Sequence, residues 1–281
     1  MTSLATASLP AHEPLRLIPV SDPDDPRIAD YRDVRERDLV GRRGLFMAEG
    51  EVVLRLLTAH GGRDLHSVLV SQASLPRIVD ALDLLPRHVP VHVAGQAVMD
   101  AIVGFHIHRG ILAVGRARPQ VPAPELLASL PERALVVALQ GITNHDNMGG
   151  IFRNAAAFGA DAVLLDAACC DPLYRKAIRV SVGASLIVPT ARAGTTAEMM
   201  EAIAAAGFDL VALSPSGRER LSDIVPGGRQ AALFGTEGPG LPPEVLASTR
   251  TISIPMAAGF DSLNVATTSG IVLHHLSRTG G

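Results

Sequence analysis

The stretch LVVALQGITNHDNMGGIFRNAAAFGADAVLL, Leu135 to Leu165, decides the architecture of the larger part of this chain. It opens on an apolar run, Leu135–Leu139, which is short and bounded by Gln140-Gly141 and therefore reads as a buried strand. A loop follows, then a helix predicted from about Gly149 to Phe158, then a second apolar run at Ala162–Leu165. Strand, helix and strand in about thirty residues is a βαβ unit, and its strands run parallel.

Downstream the alternation continues. Ile187–Val188, Asp209–Leu213, Ala231–Phe234 and Thr251–Ile254 read as strands, Thr196–Ala206 as a helix, and Ser262–Leu276 as a long closing helix. The expected fold is α/β, a parallel sheet covered by helices on both faces, with its binding loops at the carboxyl ends of the strands.

Upstream lies a smaller α/β block. Ser21–Pro26 (SDPDDP) is a turn leading into a helix predicted over Arg27–Val40, and Val52, Val53, Leu56 and Leu57 carry helical spacing after Phe46-Met47-Ala48-Glu49-Gly50. Val68–Val70, Val91–Val93 and Ile111–Val114 read as strands and Leu75–Leu84 as a helix. Pro119, Pro122, Pro124 and Pro131 mark a linker. The expected organisation is a tail at 1–14, a first domain at 15–118, a linker at 119–132 and a second domain at 133–281.

Composition agrees with two aliphatic cores. Of 281 residues, 47% are hydrophobic, yet there is no Trp and only 2 Tyr and 7 Phe. The formal charge of −3 gives no global field for nucleic acid. Residues 1–118 balance 14 Arg against 14 acidic residues, so any RNA contact falls to local arginine clusters. Cys169 and Cys170 are adjacent, which gives no disulfide framework or zinc site and points to a reducing, cytoplasmic setting. The start of the chain lacks the features of a signal peptide, no apolar run suits a membrane span, and no metal cluster is expected.

Three motifs carry the chemistry. The first runs Asn147-Met148-Gly149-Gly150-Ile151-Phe152-Arg153-Asn154-Ala155: a glycine-containing turn is expected to lead into a helix whose site end carries Arg153. The second, Gly235-Thr236-Glu237-Gly238-Pro239-Gly240-Leu241, follows a strand and forms a loop with exposed main-chain groups. Its glycine spacing differs from the dinucleotide fingerprint, and it lacks the lysine of a phosphate-binding loop. The third runs Ile254-Pro255-Met256, then Gly259, then Ser262-Leu263-Asn264-Val265-Ala266, where Ser262 or Asn264 is a candidate helix cap. Taken singly, these read equally as a surface arginine, a tight turn and a cap.

In this order, over about residues 133–278, they resemble the SpoU/TrmH family of the SPOUT superfamily, RNA ribose 2′-O-methyltransferases. Arg179-Val180-Ser181-Val182-Gly183-Ala184 is similar to the family's connecting segment. More loosely, Phe46-x-x-Glu49-Gly50 and His108-Arg109-Gly110-Ile111 resemble an L30e-like substrate-binding domain. The resemblance implies a deep trefoil knot in the second domain, an obligate homodimer with sites built from both chains, and S-adenosylmethionine as cofactor. It places the cofactor at Gly235, Ile254 and Leu263, with Leu213, Met256 and Ser262 beside them. It makes Arg153 the catalytic arginine, with Asn147, Glu237 and Asn264 as polar site residues. Arg109, Arg175, Lys176 and Arg179 are the candidate RNA contacts. Thr236 and the run Ala266-Thr267-Thr268-Ser269-Gly270 depart from the family pattern.

His106 and His108 alternate as on a strand edge, and a polar RNA-facing or solvated role outweighs metal binding there. His274 and His275 suit the carboxyl end of the last helix. Two other classes stay open: a non-catalytic RNA-binding relative, opposed by the intact Arg153 and Asn264, and a nucleotide-dependent oxidoreductase, opposed by the missing glycine fingerprint.

Overall fold

The computed structural model describes residues 15–32, 44–62, 64–103, 110–236, 238–257 and 262–277. It contains two sheets. The first comprises β1 (Leu17–Val20), β2 (Leu45–Glu49), β3 (Leu65–Ser71), β4 (Val91–Ala94) and β5 (Ile111–Arg116) in the order β1-β4-β3-β5-β2. Pairs β1/β4 and β4/β3 are parallel, and β5 runs antiparallel to both β3 and β2. Helices α1 (Glu51–Ala59), α2 (Leu75–Leu82) and α3 (Gln96–Val103) connect them. On α1 the buried residues are Val53, Leu54, Leu57 and Thr58, whereas Val52, expected on the apolar stripe, is 62% exposed. The inward face is rotated toward Leu54. The helix predicted over Arg27–Val40 is instead a 3-10 turn, Pro26–Tyr31, that buries Ile28 and Tyr31; beyond Arg32 that expectation lies outside the described residues. Helix α2 ends two residues before Leu84.

The second sheet has the order β10-β12-β9-β11-β6-β7-β8, and every pairing in it is parallel. Its strands are β6 (Ala134–Leu139), β7 (Ala162–Leu165), β8 (Thr190–Arg192), β9 (Asp209–Leu213), β10 (Glu219–Arg220), β11 (Arg229–Phe234) and β12 (Arg250–Ser253). Residues 134–139 are buried throughout, as a central parallel strand requires. Successive residues of the sheet point into two cores: Leu135, Val137 and Leu139 face one, Ala134, Val136 and Ala138 the other. Helices α5 (His145–Ala157), α6 (Arg175–Val180) and α9 (Val265–Leu276) lie at the first face, and α4 (Ala123–Ser129), α7 (Thr196–Ala205) and α8 (Pro243–Ser248) at the second. The strand expected at Ile187–Val188 is displaced to Thr190–Arg192, because Ala184–Leu186 is a 3-10 turn whose cap is Ile187.

The proline-rich segment is no free linker. It contains α4, which starts on Pro122 and buries Ala123, Leu126 and Leu127 against the second sheet. Arg229 holds its carboxyl end, donating to the carbonyls of Leu127 (2.6 Å), Leu130 (3.2 Å) and Pro131 (3.3 Å) while lying 4.4 Å over the Phe208 ring. We expect Arg229→Ala to lower stability by about 2 kcal/mol, the scale of charge-assisted hydrogen bonds lost from part-buried acceptors. An unchanged urea midpoint would remove this anchoring role.

In the first sheet His92 is 3% exposed and its Nδ1 has no partner among the described residues. Burial, and then the positive charge of Arg27, push its pKa below the ordinary value, while Asp25 pulls weakly upward. The unfolded chain therefore binds a proton more readily than the folded one. The stability contributed by neutral His92 is complete above about pH 6.5 and is lost as pH falls below it. Urea midpoints measured from pH 7.5 down to 5.5 should fall, and His92→Gln should flatten that slope.

Candidate functional site

Three loops leave the carboxyl ends of β9, β11 and β12 and enclose a cavity of about 610 Å³. Leu213, Gly235, Ile254, Met256, Ser262 and Leu263, all six expected cofactor positions, line it, together with Asn264. No charged side chain lies among its described lining residues; apolar side chains and the loop residues 235–236 and 238–241 dominate. The loop after β11 is held by a bridge between Thr236 and Gly240, with Gly238 and Gly240 at φ of 87° and 70°, a conformation that favours glycine. A Cβ on Gly235 would lie 2.6 Å from the Leu241 nitrogen, so the loop closes only over a bare backbone. Glu237 lies outside the described residues, as do Gly259, Arg109, His106 and His108.

The first and third motifs meet directly. Asn264 caps α9, its Oδ1 accepting from the amides of Ala266 (2.9 Å) and Thr267 (3.2 Å). Its Nδ2 donates to Oδ1 of Asn147 at 2.9 Å. Asn147 is 6% exposed, so this hydrogen bond is a fixed part of the site. Asn154, one face-repeat further along α5, donates to the Ala266 carbonyl (2.7 Å) and the Ser269 hydroxyl (2.9 Å). The small residues at 266–270 are thus what lets α9 lie against α5.

Two sequence expectations about the first motif change. Helix α5 begins at His145, capped by the Asn144 side chain, so Gly149 and Gly150 sit inside the helix and form no turn. Their lack of a side chain serves helix packing: a Cβ on Gly149 would lie 2.7 Å from Val180 Cβ and 2.8 Å from the Ala177 carbonyl, and one on Gly150 2.7 Å from Ala266 Cβ. Arg153 consequently stands in the third turn and not at the site end. It is exposed, does not line the cavity of its own chain, and makes no hydrogen bond or ion pair among the described residues. Likewise the closing helix starts at Val265, three residues later than expected, because Asn264 is its cap.

The basic cluster divides. Arg175 is part-buried, donating through Nε (3.0 Å) and a terminal nitrogen (2.8 Å) to Glu49 of the first sheet. Lys176 pairs with Asp146 at 2.6 Å, and Arg179 is exposed. His145 stacks on Tyr174 with ring centroids 4.7 Å apart. His275 contacts the Ile224 carbonyl at 2.8 Å, and His274 packs edge-on against Phe158. Cys169 is buried, accepts from the Ile142 amide and donates to the Leu139 carbonyl; burial pushes its thiol up to about 12, so it is an inert part of the core. Among the described residues no His, Cys, Asp or Glu cluster is arranged for a metal, and no helix is long and apolar enough to cross a membrane.

The family model of the SpoU rRNA methylase family matches residues 134–274, the whole stretch from β6 into α9. This chain belongs to the SpoU rRNA methylase family. An uncharacterized tRNA/rRNA methyltransferase of Mycobacterium bovis is 38% identical over 270 residues, covering 93% of this chain and 92% of its own. A Synechocystis relative, also described as an uncharacterized tRNA/rRNA methyltransferase, is 26% identical over 92% of this chain. Among solved structures, an AdoMet-bound rRNA methyltransferase from Sinorhizobium meliloti superposes with a TM-score of 0.75 at 24% identity, covering 92% of this chain and 97% of its own. AviRb of Streptomyces viridochromogenes, a SpoU methyltransferase crystallised with AdoMet, gives 0.70 at 23% identity over 90% of this chain and 97% of its own. The SpoU match covers the second sheet and its cavity, while the superpositions run through the first sheet as well.

Proposed function

We propose that this SpoU-family protein transfers a methyl group from S-adenosylmethionine to a ribose 2′-hydroxyl of structured RNA, ribosomal or transfer. The observation that supports it is that the second and third motif segments line one cavity, with Asn264 of its wall joined to Asn147 of the first motif. The residues present suit the cofactor. A volume of about 610 Å³ lies in the range of small-molecule sites. Its apolar walls suit a purine, and the main-chain groups of Gly235, Gly238 and Gly240 offer the donors and acceptors that a nucleoside needs. When bound, the cofactor supplies an activated methyl on a sulfonium.

On this reading Gly235, Ile254 and Leu263 hold the adenosine, with Leu213, Met256 and Ser262 around it. Asn147, Asn264 and Glu237 shape the neighbouring polar wall. Arg153 cannot act as a simple base, because a guanidinium stays protonated. Its fork of donors orients the hydroxyl and an adjacent phosphate and stabilises negative charge developing on the attacking oxygen, whose proton passes to solvent water. Since Arg153 does not line its own chain's cavity, the active form is a homodimer in which one protomer's α5 faces its partner's cavity. The rest of the rate comes from aligning two substrates. The slotting of β11 between β6 and β9, with α9 returning over α5, supports the trefoil knot. Residues 15–118 act as an L30e-like RNA-binding domain and 133–281 as the methyltransferase domain, joined through 119–132 and working in the cytoplasm. Arg109, Arg175, Lys176 and Arg179 contact RNA, with Arg175 doing so from its ion pair.

The test is transfer of radiolabelled methyl from S-adenosylmethionine to ribosomal and transfer RNA from cells lacking the protein, followed by digestion to nucleosides. Label in 2′-O-methylnucleosides is expected. Label in a base, or no binding of the cofactor at millimolar concentration, would overturn the assignment, the latter in favour of a non-catalytic RNA-binding relative.

A further inference from the structure

Helix α6 belongs to two cores at once. Ala177 is fully buried in the core under the second sheet, while the next residue, Ile178, is fully buried in the core of the first. Leu173 and Leu186, on either side, also pack against the first core. Residues 182 and 183 reverse the chain with positive φ of 57° and 86°, and a Cβ on Gly183 would lie 2.7 Å from a methyl carbon of Leu56 on α1. A β-branched residue rarely adopts such a φ, so Val182 is held there by its surroundings. The Gly183 amide donates to the Ile178 carbonyl at 2.8 Å, and Ser181 Oγ to the same carbonyl at 3.0 Å.

The polar contacts point the same way. Glu49 ends β2, the edge strand of the first sheet, and takes two donors of Arg175 at the start of α6, with 12% and 22% of the two side chains exposed. On its other side α6 carries α5, touching it at Gly149 and tying it through Lys176 to Asp146. Helix α5 in turn carries Asn147 and Arg153. A continuous packed path therefore runs from Glu49 to Arg153, read above as the catalytic arginine, and to the polar site residue Asn147.

We propose that Glu49 is a positioning residue for methyl transfer: through Arg175 and α6 it fixes the placement of α5, and so of Asn147 and Arg153, relative to the first domain. The first domain is then part of the frame that sets the site, in addition to its proposed RNA-binding role. This rests on the proposed function for its catalytic readout. Nε and a terminal nitrogen of Arg175 converge on the single oxygen Oε2 of Glu49, so it is the negative charge on that oxygen, and not a pair of oxygens, that a Gln there lacks.

The experiment uses the full chain with Glu49→Gln, Arg175→Lys and the swap Glu49→Arg with Arg175→Glu. Cofactor affinity, thermal midpoint, kcat and KM for bulk RNA from cells lacking the protein, and hydrogen exchange of the peptide covering α5 are measured together. Expected for Glu49→Gln are a fall in kcat of about tenfold or more, the scale of small misplacements, an unchanged cofactor Kd, and faster exchange in α5. The swap is expected to recover part of the loss. Unchanged kcat and unchanged α5 exchange in Glu49→Gln overturn the inference, as does a kcat loss that only tracks a lower thermal midpoint or weaker cofactor binding. If the wild-type chain itself neither binds cofactor nor methylates RNA, the function proposal fails, and the exchange of α5 still decides the role of Glu49.

Discussion

Arg153→Ala is expected to lower methyl transfer by at least about a hundredfold, the loss typical when one donor to a developing oxyanion is removed. Cofactor affinity should stay within experimental error, because Arg153 does not line the cavity of its own chain. Thermal stability should also hold, since the side chain is exposed and makes no hydrogen bond or ion pair among the described residues. Lys is a poor replacement, as it offers a point charge in place of a planar fork. Co-expressing Arg153→Ala chains with Asn264→Ala chains should restore part of the activity, because a mixed dimer holds one intact site if each site uses Arg153 of one chain and Asn264 of the other. Activity retained in Arg153→Ala alone would remove the assignment, and failure of the mixture would remove the shared site.

The second large effect is expected at Asn264, where one side chain performs two tasks that substitution can separate. Its oxygen caps α9 and its nitrogen donates to Asn147. Asn264→Asp keeps the cap, and a negative charge at a helix amino terminus is favourable, so stability should be preserved. The donor to Asn147 is lost, so the Asn147 amide must turn over to donate to the new carboxylate and its oxygen is redirected; transfer should fall by roughly tenfold, the scale of small misplacements at a site. Asn264→Ala loses both, and should add a stability loss of about 1 kcal/mol, the usual value of a cap. An Asp variant as active as wild type would show that the Asn147 contact is incidental. Thermal melts and single-turnover transfer on the two variants distinguish the cases.

Much of this site was legible because its residue types are forced by short-range chemistry. Gly235 must be bare to pass under Leu241, and Asn264 must offer an oxygen to the first amides of α9. Both requirements are local and leave a mark in the sequence. Gly149 and Gly150 were misread for the opposite reason. A glycine that admits a neighbouring helix looks, in sequence, the same as one that makes a turn, and here the neighbours are Val180 and Ala266. Pro119–Pro131 was misread likewise, since Pro122 and Pro124 open α4 as readily as they mark a linker, and Arg229, remote in sequence, secures it. The sheet edge Leu45–Glu49 was hidden because its role depends on Arg175, more than a hundred residues away.

The alternation of strands and helices in the second domain was readable from periodicity, which reports on contacts a few residues apart, and the resemblance of the three ordered motifs gave the family and six expected positions that line the cavity. The tertiary structure alone decided where Arg153 stands, which arginine is tied into an ion pair with Glu49, and that α6 serves both cores. Those outcomes depend on how separate elements pack, and packing between distant segments leaves no periodic trace in either one.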